Sequence, residues 1–311
     1  MTANPLETRL CEEIGIEFPI VAFSHCKDVI EAVANAGGLG VLGVGGMTAD
    51  EIEREIKWLR EHIGDNPFGL DVLIPASVPP TGSTAELREQ IPPAYWEFVE
   101  GIKRDSNIPA PKPKNAVEAQ VVRPAGTQET ARRQLEVILE ERVPVLASGL
   151  GSPAFILDEA HQRGMKVFGL IGNVRQARRE AEAGVDFIVA QGTDSGGHTG
   201  EIGTFSLVPQ VVNAVRPTPV ICAGGVGNGA QMAAAICLGA VGVWTGTIWL
   251  TARESDTDLI VKEKILAATE RDTIRSRSSS GKPIRQLQTK WTEVWGAPDA
   301  PSPLPMPLQG I

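Results

Sequence analysis

The stretch VAQGTDSGGHTG, residues 189 to 200, places a histidine among glycines directly after a short apolar run. The glycines at 196 and 197 allow the backbone to approach a flat ring closely, and we expect Gly197 to border such a ring. His198 would then stand over the reactive part of a ligand, where an imidazole with an ordinary pKa of about 6.5 can give or take a proton at neutral pH. A histidine that only caps a glycine turn is the alternative.

A second glycine-rich stretch, CAGGVGNG at residues 222 to 229, ends an apolar run and opens a helical pattern. Backbone N–H groups at the start of a helix favour a phosphate. The stretch WTGT, residues 244 to 247, ends the next apolar run. In a parallel barrel the loops after the seventh and eighth strands commonly form one phosphate site, so the two stretches together predict one. Two glycine turns without a ligand are the alternative.

Eight apolar runs must position these loops, and most are followed by a helical pattern. They span residues 18–23, 39–44, 68–74, 143–148, 165–171, 185–191, 218–225 and 240–247. Eight β-α repeats predict a single α/β domain over residues 1 to 311, a (β/α)8 TIM barrel with its site at the C-terminal strand ends. A doubly wound sheet is the alternative. GLGVLG at residues 38 to 43 is predicted to lie within a strand rather than to bind a dinucleotide.

Two segments fall outside the repeat. Residues 75 to 126 form a long proline-rich insertion after the third strand, and it contains Tyr95, Trp96 and Phe98. Because these aromatic side chains need a dry surface, we predict that the insertion is a lid over the barrel mouth, with a solvated excursion as the alternative. Residues 296 to 311 form a proline-rich C-terminal arm in which we predict no regular structure.

The composition limits the partners and the compartment. Lys and Arg number 29 against 38 Asp and Glu, and the net charge of -9 argues against a general nucleic-acid binder. The chain has no apolar run of about eighteen residues and no secretory N-terminal pattern, so we expect a cytoplasmic protein that does not partner a membrane. The four cysteines lack the spacing of metal ligands, so we expect buried free thiols and no metal site.

Four stretches in order, NAGGLGVLG, VDFIVAQGTDSGGHTG, VICAGGVGNG and VGVWTGT, resemble the nitronate monooxygenase family, formerly called 2-nitropropane dioxygenases. That family is similar to the flavin-dependent enoyl-acyl-carrier-protein reductases. The resemblance runs from about residue 9 to 295, apart from the insertion, and implies an FMN-binding barrel. It implies that Gln191 lies beside the flavin ring and that His198 faces the substrate near flavin N5. It also implies that the FMN phosphate is held by Gly224, Gly225, Gly246 and Thr247.

The chain departs from the family pattern at two strand ends. Ser24 and His25 stand where the family usually has proline and methionine after the first strand. Asp71 stands where the family usually has asparagine at the end of the third strand. We expect these three residues to border the cofactor and His25 to be a second acid-base residue beside His198.

Three functions remain open from the sequence. The first is an FMN-dependent oxidoreductase of nitronate monooxygenase type, which uses O2 and has His198 as its acid-base residue. The second is an FMN-dependent reductase or dehydrogenase of an enoyl or cyclic acyl thioester on CoA or a carrier protein, with NADH or NADPH as electron donor. The third is a non-flavin barrel hydrolase using Ser195, His198 and Asp194, which lacks a nucleophile elbow. The small-molecule substrate and the assembly are open, and a homodimer is one alternative.

For the second function, a cationic part of the insertion could receive a phosphorylated carrier. The cations are Lys103, Arg104, Lys112 and Lys114. Solvated charges without a partner are the alternative.

Overall fold

The computed structural model describes residues 6–74, 78–79, 81–109 and 126–311. Eight parallel strands close into a barrel in the order β1-β2-β3-β4-β5-β6-β8-β9, and β9 pairs back with β1. The strands are β1 Ile20–Ser24, β2 Leu39–Gly43, β3 Phe68–Leu73, β4 Val145–Gly149, β5 Lys166–Ile171, β6 Phe187–Gln191, β8 Val220–Ala223 and β9 Gly242–Thr245. All eight predicted strands are confirmed, and the TIM barrel, rather than the doubly wound sheet, is the fold.

Twelve helices occur in the described ranges. They are α1 Arg9–Ile14, α2 Lys27–Asn35, α3 Ala49–Ile63, α4 Thr84–Glu89, α5 Pro93–Asp105, α6 Gln128–Glu140, α7 Leu157–Gln162, α8 Val174–Ala183, α9 Thr204–Val215, α10 Gly229–Cys237, α11 Leu259–Ala267 and α12 Lys290–Trp295. Local sequence accounts for α3, where Thr48 and Glu51 form a capping box. Four residues of its apolar face are buried against the barrel: Ile52, Ile56, Leu59 and Ile63.

Large apolar side chains fill the interior of the barrel. Phe168 and Phe187 lie on neighbouring strands with their ring centroids 4.8 Å apart. The GLGVLG stretch belongs to β2, as predicted, and a Cβ at Gly40 would lie 2.7 Å from the carbonyl oxygen of Ile30. This glycine therefore allows a helix to pack closely on the strand, which leaves the functional space to the loops at the barrel mouth.

A small antiparallel sheet on the barrel was not predicted. Its strands are β7 Gly197–His198, β10 Thr273–Ser276 and β11 Ile284–Leu287, in the order β10-β11-β7. His198, predicted in a glycine-rich loop, lies in a short strand and pairs in register with Ile284. The loop after β6 is therefore held by a hairpin that follows the barrel in sequence.

The described part of the insertion packs against the C-terminal helix. Phe98 lies edge-on to Trp295 at 5.0 Å between ring centroids, and Tyr95 stacks on the same indole at 6.3 Å. The Tyr95 hydroxyl donates to the carbonyl oxygen of Ser302 at 2.9 Å. Residues 75–77, 80 and 110–125 lie outside the described residues, so the lid stays a prediction.

The C-terminal arm closes over the turn of the β10-β11 hairpin. A Cβ at Gly281, where φ is +81°, would lie 2.2 Å from the carbonyl oxygen of Leu304. The Gln309 side-chain amide donates to the carbonyl oxygen of Ser278 at 2.8 Å. The arm is irregular apart from the short 3-10 turn Leu308–Gly310.

Three of the four cysteines are buried free thiols: Cys11, Cys26 and Cys222. Cys237 is exposed, because it ends helix α10 on the surface of the barrel. Across the described ranges, no helix combines the length and the apolar character that a membrane span requires.

Candidate active site

The residues predicted from sequence gather at one end of the barrel. Three of them close strands or lie near strand ends: Ser24 on β1, Asp71 on β3 and Gln191 on β6. The remaining predicted residues lie in the segments that follow β1, β6, β8 and β9: His25, Gly197, His198, Gly224, Gly225, Gly246 and Thr247. Parallel barrels bring these segments together at the C-terminal mouth, where active sites of this fold lie.

The loop after β8 makes a close approach that only glycine permits. Gly224 and Gly225 have φ angles of +111° and +71°. A Cβ at Gly224 would lie 2.5 Å from the Ser195 Oγ and 2.7 Å from the Thr204 Oγ1. A Cβ at Gly225 would lie 3.2 Å from the Cβ of Asp194. The loops after β6 and β8 are therefore in contact.

The loop after β9 joins the same group. A Cβ at Gly196 would lie 2.6 Å from the Thr247 Oγ1, and Thr247 is exposed at the start of a 3-10 turn that Gly246 precedes. The stretches at residues 222 to 229 and 244 to 247, predicted to form one phosphate site, therefore both meet the loop that carries His198.

Helix α10 begins directly after the glycine turn. The side-chain oxygen of Asn228 accepts a hydrogen bond from the backbone N–H of Gln231 at 3.0 Å. The Gln231 side-chain oxygen accepts from the backbone N–H of Gly227 at 2.7 Å. The backbone N–H groups of Gly227 and Gln231 are therefore already bonded to side chains at the start of the helix. A phosphate would instead meet the preceding turn at Gly224 and Gly225.

The three residues of the hydrolase alternative have separate environments. The Ser195 Oγ is buried and has no hydrogen-bond partner within the described ranges. Asp194 accepts from the backbone N–H of Thr204 at 2.6 Å. His198 Nε2 lies 2.9 Å from the Ser280 Oγ. The hydrogen-bonded chain from carboxylate to imidazole to hydroxyl that such a hydrolase needs is not formed.

His198 has neighbours that sequence reasoning missed. Ser280 lies in the hairpin turn, and its Oγ accepts from the backbone N–H of Lys282 at 3.3 Å. Burial lowers the pKa of His198, and the positive charge of Lys282 lowers it further. The imidazole is therefore neutral at pH 7. The signal was the stretch TIRSRSSSGKPIRQL, where two short runs flank a glycine turn.

Hydrogen bonds fix the hairpin that holds His198. Arg285 donates to the carbonyl oxygen of Thr193 at 3.4 Å, and Arg275 donates to that of Thr199 at 3.2 Å. At the turn, the Trp291 indole N–H donates to the carbonyl oxygen of Ser278 at 3.0 Å. The ring of His198 is thus positioned by contacts on both sides of its loop.

His25 lies on the β1 side of the mouth. Its Nδ1 is 2.9 Å from the carbonyl oxygen of Gly43, and its ring meets the edge of Phe23 at 5.2 Å between centroids. A Cβ at Gly43 would lie 2.6 Å from the His25 Cε1, so the ring rests directly on the end of β2. His25 is exposed, whereas the neighbouring Ser24 is buried and its Oγ accepts from the backbone N–H of Cys26 at 3.1 Å.

Asp71 has the most perturbed carboxyl group of the site. The residue is 6 % exposed, and its Oδ1 has no hydrogen-bond partner in the described part of the chain. Burial raises the pKa of Asp71 to about 7. Perturbed pKa values of this kind cluster at functional sites, which agrees with the position of Asp71 among the predicted residues.

Comparisons with known proteins agree with this geometry. The family profile of nitronate monooxygenases matches residues 7–309. A protein of Mycobacterium tuberculosis named as a candidate monooxygenase is 46% identical over 98% of this chain and 82% of its own length. A protein of Staphylococcus aureus named as a candidate nitronate monooxygenase is 31% identical over 92% of this chain and 80% of its own length.

Solved structures give the same result. A nitroalkane oxidase from Streptomyces ansochromogenes has a TM-score of 0.79 at 27% identity, covering 97% of this chain and 84% of its own. FabK from Thermotoga maritima has a TM-score of 0.71 at 32% identity, covering 92% of this chain and 76% of its own. The chain therefore belongs to the nitronate monooxygenase family, whose members are oxidoreductases.

Proposed function

We propose that this enzyme is an FMN-dependent oxidoreductase of nitronate monooxygenase type, with the cofactor bound across the barrel mouth. One observation carries the proposal. The loops after β6, β8 and β9 meet around the glycine turn, and the buried Ser195 Oγ beside this turn has no hydrogen-bond partner in the part of the chain that the structure describes. Close backbone approach and an unsatisfied hydroxyl suit an anionic ligand such as a phosphate. The family membership supports a flavin as that ligand.

The residues of the mouth fit the two ends of FMN. The phosphate would be held by Gly224, Gly225, Gly246 and Thr247. The ring end would lie toward Gln191 and Gly197 on one side, and toward Ser24, His25 and Asp71 on the other. Bound FMN supplies a ring that takes up electrons or a hydride from the substrate.

His198 is the principal acid-base residue in this proposal. Its low pKa keeps the imidazole neutral at pH 7, so it can accept a proton from a carbon next to an electron-withdrawing group. Ser280, at 2.9 Å from Nε2, fixes the orientation of the ring during this transfer. His25 assists from the β1 side of the mouth. O2 is the electron acceptor that the monooxygenase type requires.

A second candidate is a reductase of an enoyl or acyl thioester with NADH or NADPH as donor, and the similarity to FabK favours it. The hairpin beside His198 adds cations that could meet phosphates, because residues 273 to 287 hold Arg275, Arg277, Lys282 and Arg285 and no acidic residue. Of these, Arg275 pairs with Glu201 at 3.7 Å. The basic residues of the insertion give this second candidate less support. Lys103 pairs with Glu100 at 2.7 Å, and residues 112 and 114 lie outside the described residues.

Replacement of His198 by asparagine tests the proposal. Loss of a positioned acid-base residue lowers a rate by about 10²- to 10⁴-fold, so the turnover of the His198→Asn variant should fall in this range with FMN still bound. His62→Asn is the matched control, because His62 is exposed on α3 and stacks on Trp58. Turnover of His198→Asn equal to that of the control, at equal FMN content, would remove His198 from the chemistry.

A further inference from the structure

The carboxyl group of Asp71 faces the inside of the barrel. On the same face of β3, a Cβ at Gly69 would lie 3.0 Å from Val41 and 3.2 Å from Val145, which belong to the barrel interior. The intervening residues Leu70 and Val72 belong to the layer between strands and helices. Because side chains alternate along a strand, Asp71 points inward, above Gly69 and toward the mouth.

No charged group is placed to pair with Asp71 among the described residues. Its partners in register are Gly43 on β2 and Ala147 on β4, and neither strand holds an ionisable side chain. On the interior side, the titratable group that faces this end of β2 is His25, which follows β1 and whose ring rests on Gly43.

The helices that cover the outer face of the sheet also leave Asp71 unpaired. Helix α6 packs against β3, and its charged residues Arg132, Arg133, Glu136 and Glu140 are exposed. Glu129 of the same helix pairs with Arg133 at 2.7 Å. Helix α3 meets the same layer through its buried isoleucines and Leu59, which include no ionisable group.

A lone buried carboxylate is costly, so the group keeps its proton unless a partner compensates for the charge. The Oδ1 of Asp71 has no such partner in the described ranges, and burial alone raises the pKa to about 7. A protonated carboxyl is a hydrogen-bond donor as well as an acceptor. The carboxyl O–H of Asp71 is then available to donate a hydrogen bond to a ligand in the mouth.

We propose that Asp71 enters the active site as a neutral carboxylic acid that donates a hydrogen bond to an oxygen or nitrogen acceptor of the bound flavin ring, and that ionisation of Asp71 weakens cofactor binding. This inference rests on the proposed function, because it requires FMN in the barrel mouth. It makes Asp71 a specificity residue for a heteroaromatic ring that presents a hydrogen-bond acceptor, and it makes cofactor retention depend on pH.

The linkage gives the size of the effect. If FMN binds only the protonated form, the Kd of FMN is multiplied by one plus the ratio of ionised to neutral Asp71. With a pKa of about 7, the Kd should therefore rise about 30-fold between pH 6 and pH 8.5. The variant Asp71→Asn keeps a donor of the same shape but has no proton to lose, so its Kd should follow only the titration of FMN itself.

The experiment measures the Kd of FMN from pH 6 to pH 8.5 for the flavin-free wild type, for Asp71→Asn and for the control His62→Gln, whose histidine is exposed on α3 outside the site. We expect the steep rise in wild type and in His62→Gln and its loss in Asp71→Asn. Equal pH dependence in wild type and Asp71→Asn overturns the proposal while leaving FMN binding intact. If FMN binds to none of the three proteins at any pH, the proposed function fails as well.

Thermal unfolding of the flavin-free proteins supplies a second readout. A buried acid with a raised pKa binds more protons when folded than when unfolded, so Asp71 destabilises the fold progressively as the pH rises from about 4, its unfolded pKa, to about 7, its folded pKa, and by a constant amount above that. The stability advantage of Asp71→Asn over wild type should therefore grow from pH 5 to pH 7 and level off by pH 8. A constant difference over this range would show that Asp71 is not a buried neutral acid, and would overturn the proposal.

Discussion

Adding a single methyl group at Gly224 is the sharpest test of the phosphate site. In Gly224→Ala, the new Cβ would meet the Ser195 Oγ at 2.5 Å, the Thr204 Oγ1 at 2.7 Å and the Ser195 backbone nitrogen at 3.0 Å. The φ of +111° adds strain, because residues with a side chain rarely adopt it. The loop after β6 must therefore move if the alanine is to fit.

The magnitude follows from two contributions. A residue held in a sparsely populated backbone region costs about 1–3 kcal/mol, and overpacking a tight site costs about 1–3 kcal/mol. A combined loss of about 3 kcal/mol corresponds to a Tm lower by about 5 °C for a chain of this size. The moved loop also carries Ser195, so we expect the FMN content of the purified variant to fall with its stability.

Gly229→Ala is the matched control. Gly229 is the first residue of α10, five positions further along the same stretch, and a Cβ there would meet nothing within 4 Å. We expect it to keep the Tm and the FMN content of wild type, or to gain slightly in stability. Thermal unfolding gives the Tm of both variants, and the FMN absorbance of the purified proteins gives their FMN content. Gly224→Ala with the same Tm and FMN content as Gly229→Ala would refute this reasoning about the turn.

Three further predictions concern the groups around the mouth. Lys282→Met removes the positive charge that helps lower the pKa of His198, so the acidic limb of the kcat/KM profile should move to higher pH; an unmoved limb counts against His198 as the base. His25→Met should lower turnover of the native substrate with FMN retained, whereas preserved or raised nitronate turnover would remove His25 from the mechanism. Trp295→Ala removes the contacts with Tyr95 and Phe98, so limited proteolysis within residues 93 to 105 should become faster than in wild type, and an unchanged rate would show that this contact does not hold α5.

The barrel was predictable because its signals are local. Each strand is a short apolar run, and the capping box at Thr48 and the buried face of α3 can be read within one helix. The glycine turn at Gly224 was predictable for the same reason, since a strand end and a helix start flank it.

The environment of His198 was not predictable from local signals. Its contact with Ser280 joins residues 82 positions apart, and a hairpin added to the barrel brings them together. The sequence showed the carboxyl group of Asp71 at a strand end but not its isolation, which depends on the residues of neighbouring strands. Burial and partner choice are properties of the packed barrel, so the residue types alone did not reveal these pKa shifts.

Anaerobic mixing of the FMN-loaded protein with an alkyl nitronate tests the proposed function most directly. Electron transfer from the substrate bleaches the flavin absorbance when no O2 is present to restore it. We expect bleaching by the nitronate alone, without NADH or NADPH, and recovery of the absorbance when O2 is admitted. Bleaching by NADH or NADPH with no response to any nitronate would contradict the monooxygenase assignment and would favour the thioester reductase.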